Sequence, residues 1–338
     1  MNLIGSKNIN GTFLMLQNYL NKFESFAKKY PGPIEDSISL HFGQHKYHIV
    51  FGCLIHGDET GSLPAILMAI EKLMTSCIKY GGIVTFILGN KQAALKEKRY
   101  LEADLNRSFS PKEIPNENSF ERKRAIEISG VLKNADVFLD FHQTKLHCKE
   151  AFYIFEMHEK SYLWARSIGV AKLFVTRKKG EPYTPNGMCS DEYMHLQNKV
   201  GITLELGEKG FHKSACKICL MTIEKSLWRM DQIYLFKKNI INIARKSPKL
   251  IFLERKYTEP FSSPKKILKD GFFNLQKIKK EQILGYDESG TPLISPHQGY
   301  ILFPQYPKRN EFGISIEEND AYIYSIVCEI ENPKLFIS

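Results

Sequence analysis

Long apolar runs are missing from this chain of 338 residues. None reaches the roughly 18 residues that suggest a membrane span, so no membrane-crossing helix is expected. The N-terminal stretch from Met1 through Asn10 lacks a basic region followed by an apolar core, so no standard secretory leader is expected. Cysteine is sparse and scattered, at positions 53, 77, 148, 189, 216, 219 and 328. An odd, dispersed set does not read as a disulfide framework and suits a reducing compartment, so a cytoplasmic location is expected. Cys216 and Cys219 form a lone CxxC at the apparent start of a helix. Without a second pair there is no zinc-ribbon spacing, and they read as two partly buried thiols one turn apart. The chain has no clear internal repeat and no low-complexity segment.

Positive charge is in excess: the formal net charge is +10 and the pI about 9.0. The basic clusters are short (Arg177-Lys178-Lys179, Lys265-Lys266 and residues 277–280) and none is interleaved with aromatics for base stacking. Nucleic acid is therefore not an expected partner. A solvated basic surface and an electropositive mouth for anionic substrates are the two readings left.

Through the first 250 residues, short apolar runs alternate with longer helical patterns. Strands are expected at 38–42, 47–54, 83–88, 137–141, 151–155, 173–176 and 201–206, and helices at 61–77, 119–132, 159–168, 192–199 and 215–244. Several of the strand runs are apolar almost throughout, as in a sheet covered on both faces. The alternation predicts an α/β fold with a largely parallel or mixed sheet flanked by helices. The remainder differs. Residues 249–257 lead to a turn-rich link at 260–264, then short extended segments at 271–275, 282–285, 290–294, 299–304 and 321–328. That spacing predicts a small β-rich domain, dividing the chain into 1–250 and 251–338.

Chemistry concentrates in four places. His56 and Glu59 lie three residues apart, just after the apolar run that ends at Ile55. Loops at the carboxyl ends of strands are where open α/β sheets bind ligands. Imidazole and carboxylate both suit zinc. His142, after Asp140 and Phe141 at the end of another expected strand, offers a third ligand; three protein ligands would leave a fourth position for water. Asp140 reads either as a support for His142 or as a loop cap. Arg99, Asn106 and Arg107 stand in a loop-like segment, as donors for a carboxylate or as members of surface salt bridges. Glu205 stands in the apolar run Gly201-Ile202-Thr203-Leu204-Glu205, as a buried general base with a raised pKa or as an outward-facing side chain.

His56-Gly57-Asp58-Glu59, Asp104-Leu105-Asn106-Arg107-Ser108-Phe109, Asp140-Phe141-His142-Gln143-Thr144 and Thr203-Leu204-Glu205-Leu206-Gly207 occur in that order. With them the chain resembles the succinylglutamate desuccinylase/aspartoacylase family, a branch of the zinc carboxypeptidase superfamily. The motifs cover roughly residues 55–210, and the tail resembles the family's C-terminal domain more loosely. The resemblance implies a zinc-carboxypeptidase-like mixed sheet with a smaller C-terminal β-domain, and one Zn2+ per chain on His56, Glu59 and His142. It implies that Glu205 deprotonates the attacking water and passes the proton to the leaving amine. Arg99 would polarise the scissile carbonyl, and Asn106 and Arg107 would hold the substrate carboxylate. Two positions depart from the family pattern: Asp58 stands where Asn is usual, and Phe141 where Leu is usual. Asp58 adds an anion near the metal position.

The expected activity is hydrolysis of the amide bond of a small anionic N-acyl amino acid or similar amide. The rival within the superfamily is a metallocarboxypeptidase acting on peptides or cell-wall fragments. A non-catalytic binder of anions or nucleic acid is the rival from another class. The tail discriminates between the first two: overhanging the metal position it admits only small substrates, while an open cleft would let a peptide thread. Tyr322, in the segment 319–322, reads as a residue reaching the site or as a packing residue. Oligomeric state is not legible in the sequence.

Overall fold

In a computed structural model, the structure describes residues 5–112, 116–184, 186–316 and 321–332, with side chains from residue 11 onward. The elements run α1 (Gly5–Lys29), β1 (Ser37–His41), β2 (His48–Cys53), α2 (Leu63–Met74), β3 (Ile83–Leu88), α3 (Lys91–Ala94), α4 (Phe120–Leu132), β4 (Val137–Thr144) and β5 (Phe152–Ile154). They continue with α5 (Glu159–Ile168), β6 (Leu173–Thr176), α6 (Ser190–Leu196), β7 (Val200–Glu208), α7 (Lys213–Tyr234), α8 (Ile240–Lys246) and β8 (Ile251–Pro260). The tail adds β9 (Ile267–Leu268), β10 (Gln276–Ile278), β11 (Ile283–Tyr286), β12 (Pro292–Ile294), β13 (Gly299–Leu302) and β14 (Tyr322–Ile330). Among the described residues, no helix is long and apolar enough to cross a membrane.

Eleven strands form one sheet in the order β1-β3-β2-β4-β7-β5-β6-β8-β14-β13-β10, and β12-β11-β9 form a small second sheet. The large sheet is mixed: β3, β2, β4 and β7 run parallel, β5 runs antiparallel to β7, and β8 is parallel to β6 but antiparallel to β14. This is the α/β architecture that the alternating pattern predicts. Strands β2 and β4 are buried at every position, which is why they read as apolar runs rather than alternating ones. One main core joins Phe51, Phe86, Phe141, Ile202 and Leu204 of the sheet to Ile66 and Ile70 of α2 and Ile223 and Leu227 of α7. A second packs Val50, Ile87 and Phe138 against Ile128 and Leu132 of α4. Helices therefore cover both faces.

Three places depart from the sequence expectation. The helix expected over 215–244 is two helices, because Lys237 adopts a left-handed conformation (φ 54) and Asn239 caps α8 by accepting from Ile241 N at 2.8 Å. An amphipathic helix, α1, precedes the first expected strand and buries Leu16, Leu20 and Phe23. Residues 251–260, expected as a lead into a turn-rich link, form a ten-residue strand. β8 pairs with β6 on one side and β14 on the other, so hydrogen bonding is continuous across the expected boundary at residue 250.

Candidate active site

The site is built where β2, β4 and β7, adjacent and parallel, end together. β2 stops at Cys53, and Leu54 turns the chain through a left-handed conformation (φ 55), a state that costs a non-glycine residue of order 1 kcal/mol. Leu54 is held there by its carbonyl, which accepts from Asn90 N at 2.6 Å. The turn delivers His56 and Glu59. Gly57 between them cannot carry a side chain: a Cβ would stand 2.4 Å from Ala94 N and 2.6 Å from Lys98 O. His142 lies within β4 and stands directly opposite Glu205 of β7 in the parallel register, as Asp140 stands opposite Thr203. Side chains at alternate positions share a face, so His142, Asp140, Glu205 and Thr203 form one buried polar bench.

His56, Glu59 and His142 converge, with one ligand-type atom from each lying within 4.8 Å of the others. All three residues are buried, at 4%, 3% and 2% exposure. The Nδ1 atoms of the two imidazoles face each other at 3.1 Å. Glu59 lies between them, Oε1 at 2.8 Å from His56 Nδ1 and Oε2 at 2.9 Å from His142 Nδ1. The outer ring nitrogens are each met by a carboxylate: His56 Nε2 by Asp104 at 3.1 Å and His142 Nε2 by Asp140 at 3.0 Å. That arrangement leaves both Nδ1 lone pairs for a cation when the outer nitrogens carry the protons, the support that metal-binding histidines generally have. The protonation balance shows the same demand for positive charge. Burial opposes a charged His142, but Asp140 and Glu59 overcome it and hold its pKa well above the ordinary value. Burial likewise opposes the Glu59 carboxylate, and His56 and His142 hold it ionised well below the usual range. The donor set, its burial and its field fit a divalent ion such as zinc.

The remaining expected residues surround this cluster on one cavity of about 450 Å3. Arg99 donates to Glu59 Oε1 at 3.1 Å and to Asp104 Oδ2 at 3.2 and 3.3 Å. Asp104 also accepts from Asn106 N at 2.8 Å, so one carboxylate fixes His56, Arg99 and the turn that carries Asn106. Burial works against its charge, but Arg99, His56 and Arg107 hold its pKa well below the usual range. Arg107 lies with its guanidinium carbon 4.6 Å from the centre of the Tyr183 ring and donates to the Asn106 carbonyl at 2.7 Å. Glu205 is buried at 8% exposure, and its Oε2 has no hydrogen-bond partner. Burial and the nearby Glu59 charge push its pKa up to about 8. The outward-facing alternative for Glu205 is thus excluded. Asp58 pairs with Lys209, so the extra anion next to the cluster is met by a cation within the chain.

Several contributors were not singled out from the sequence. Asp104 was visible only as the first residue of a motif. Asp140, left open between two roles, bonds His142. Glu121 of α4 is fully buried and accepts from Leu101 N at 2.7 Å, Glu102 N at 3.2 Å and Ala103 N at 3.1 Å. A lone Glu in a helical run carries no sign that it scaffolds the loop of Arg99 and Arg107. From the tail, Asn274, Phe303, Pro304, Gln305, Ala321 and Tyr322 join the cavity wall. The Tyr322 hydroxyl bonds the Tyr183 hydroxyl at 2.8 Å; residues 319 and 320 of its segment lie outside the described residues. The tail therefore shares the wall of the cavity that holds the cluster.

Comparison with known proteins agrees with this geometry. Residues 48–225 match the model of the succinylglutamate desuccinylase/aspartoacylase catalytic domain, more than half of the chain. A probable aspartoacylase of Nostoc sp. is 46% identical over 65 residues, 17% of this chain and 22% of that protein. Succinylglutamate desuccinylase of Vibrio campbellii is 28% identical over 86 residues, so these two matches span about a quarter or less of their curated relatives. Succinylglutamate desuccinylase of Pseudomonas aeruginosa aligns more broadly, 23% identical over 282 residues, 76% of this chain and 79% of that one. Among solved structures, succinylglutamate desuccinylase of Chromobacterium violaceum superposes with a TM-score of 0.66 at 15% identity, covering 96% of this chain and 99% of that one. The Vibrio parahaemolyticus protein gives 0.64 at 18% identity, covering 88% and 86%. The family match extends from the start of β2 into α7 and includes every residue of the cluster: the chain belongs to the succinylglutamate desuccinylase/aspartoacylase family.

Proposed function

We propose that this protein is a zinc-dependent hydrolase that cleaves the amide bond of a small N-acyl amino acid or a similar carboxylate-bearing amide. One observation carries the reading. A two-imidazole, one-carboxylate cluster, the unpartnered Oε2 of Glu205 and the half-buried Arg107 line the same cavity. His56, Glu59 and His142 would hold one zinc ion, which when bound would supply Lewis acidity and an acidified water near neutral pH.

The chain's own residues do the rest. Arg107 and Asn106 hold the substrate carboxylate. Arg107 is preorganised by Tyr183 beneath it and by the Asn106 carbonyl, so little freedom is lost on binding. Arg99, on the rim beside Glu59, offers positive charge to the carbonyl oxygen as negative charge develops there. Glu205 accepts the proton of the attacking water on Oε2 and returns it to the amide nitrogen as the carbon–nitrogen bond breaks. A buried carboxylate with one oxygen free of other hydrogen bonds can serve both halves of that transfer. The products are an amine and a carboxylate.

The tail favours this reading over a peptide-trimming metallocarboxypeptidase. Phe303, Pro304 and Tyr322 stand in the cavity wall, and the Tyr183–Tyr322 bond ties one side to the other. A cavity of about 450 Å3 is within the range of small-molecule sites. We also place the protein in the cytoplasm, a setting that its seven free thiols support. The test is metal analysis of the purified protein, then hydrolysis of N-acyl amino acids and of short peptides with zinc present. One zinc per chain with amine release from the small substrates is expected; release from peptides alone would favour the carboxypeptidase reading.

A further inference from the structure

Ser190, the first residue of α6, is fully buried and takes no part in the hydrolysis outlined above. Its place is set by the segment before it. Met188 N donates to the Arg107 carbonyl at 3.0 Å and Phe109 N to the Met188 carbonyl at 3.1 Å. The chain entering α6 therefore runs beside Ser108 as a short parallel bridge, which brings Ser190 between Asn106 and Asp140 of β4. A serine at a helix start ordinarily turns its hydroxyl back onto the helix N–H groups. Ser190 stands one residue inside the helix and directs its hydroxyl to Asp140 instead: Oγ donates to Asp140 Oδ2 at 2.6 Å, and the backbone N donates to Asn106 Oδ1 at 3.0 Å.

The two residues that Ser190 holds are the two that flank His142 Nε2. Asp140 Oδ2 lies 3.0 Å from that nitrogen and Asn106 Nδ2 3.4 Å. Asp140 has little else to fix it. Its Oδ1 is buried with no hydrogen-bond partner and faces Gly52 of β2, where a Cβ would stand 3.2 Å away. A carboxylate met by His142 alone could turn about its Cβ–Cγ bond, a soft torsion. A second donor on the same oxygen, anchored on another element, stops that turn. A hydroxyl bond of this length to a carboxylate is also among the stronger hydrogen bonds. Asn106 gains its direction in the same way: with Oδ1 taken by a backbone donor, Nδ2 is left as the donor end of the amide. Resting on the zinc-site reading above, we infer that Ser190 is a positioning residue for the metal. Through Asp140 it fixes the His142 ring so that Nδ1 is presented to the ion.

The test is zinc affinity, measured by competition with a chromophoric chelator on wild type, Ser190→Ala, Asp140→Ala and the double variant. Ser190→Ala is expected to weaken zinc binding about 3–30-fold, and Asp140→Ala by at least as much. The double variant should bind no more than about twofold more weakly than Asp140→Ala, because a residue that acts through Asp140 then has nothing to act on. A merely structural role would instead multiply the two losses. Unchanged affinity in Ser190→Ala, or losses that multiply in the double variant, would overturn the inference while leaving the zinc site standing. Should Ser190→Ala not fold, Ser190→Cys takes its place with the same two outcomes, since it offers similar volume and only a weak donor. A wild type that binds no zinc would remove the zinc-site reading, and this inference with it.

Discussion

Two imidazoles that face each other through Nδ1 must have their outer nitrogens held, and Asp104 and Asp140 hold them. Asp140 is fully buried, with Oδ2 accepting from Ser190 Oγ at 2.6 Å as well as facing His142 Nε2 at 3.0 Å. Asp140→Asn should weaken zinc affinity about 10–100-fold without unfolding the protein, read by competition with a chromophoric chelator; unchanged affinity would remove Asp140 from the support of the site. Glu205 makes a prediction about pH. Its pKa in the folded, metal-free protein is about 8 against 4.5 for the free group. A raised folded pKa contributes stability that is full below the unfolded value and lost as pH rises through the folded one. Metal-free wild type should therefore lose stability between pH 5 and 9 relative to Glu205→Gln, by an amount on the order of 3–5 kcal/mol. Parallel denaturation curves for the two across that window would contradict the assignment. At this scale His56, Glu59, His142 and Glu205 were legible, because such side chains at the ends of apolar runs are conspicuous. Glu121 was not: acidic residues in helical stretches usually face solvent, and only the tertiary packing shows that this one does not.

Helix α4 acts on the site without touching its chemistry. Glu121 receives three backbone N–H groups of the loop from Leu101 to Ala103, and Asn90 Nδ2 at 2.9 Å. One turn away, Arg124 donates to the carbonyls of Gly89, Leu88 and Glu35, each at 2.9 Å. The pair locks the β3–α3 corner and the Arg99 loop to one helix. Glu121→Gln replaces one acceptor oxygen by a donor facing N–H groups, and should cost about 2–4 kcal/mol in urea denaturation. It should also raise KM, since Arg99 and Asn106 lie on the loop it releases; a neutral result in both measurements would contradict this role. Strand and helix positions in the first 250 residues were readable because burial on both faces, and helical periodicity, leave marks in sequence. The division of α7 from α8 was less so. It depends on Lys237 accepting a left-handed backbone conformation, for which lysine gives no signal. Only Asn239 two residues later hinted at a new start.

Across the whole molecule, the sheet does not stop where the composition changes. β8 pairs with β6 along Ile251–Glu254 and with β14 along Phe252–Pro260, and Phe252 sits in the main core. Truncation after residue 250 should therefore leave an exposed sheet edge and fail to give a folded product, and the full chain should melt in one transition by calorimetry; a folded, cooperatively melting 1–250 fragment would show two independent units. The tail's chain of short strands was readable from its turns, but not its attachment to the main sheet, since strand order depends on contacts remote in sequence. The central claim is that His56, Glu59, His142 and Glu205 hydrolyse amides with a bound zinc, and Glu205→Gln isolates it. The measurement is amine release from an N-acetyl amino acid panel by zinc-loaded wild type and Glu205→Gln, with zinc content determined on the same samples. One zinc per chain in both proteins is predicted, with the rate of the variant lower by about 10²–10⁴-fold. Equal rates in the two zinc-loaded proteins, or no release from any substrate by the wild type, would contradict the account.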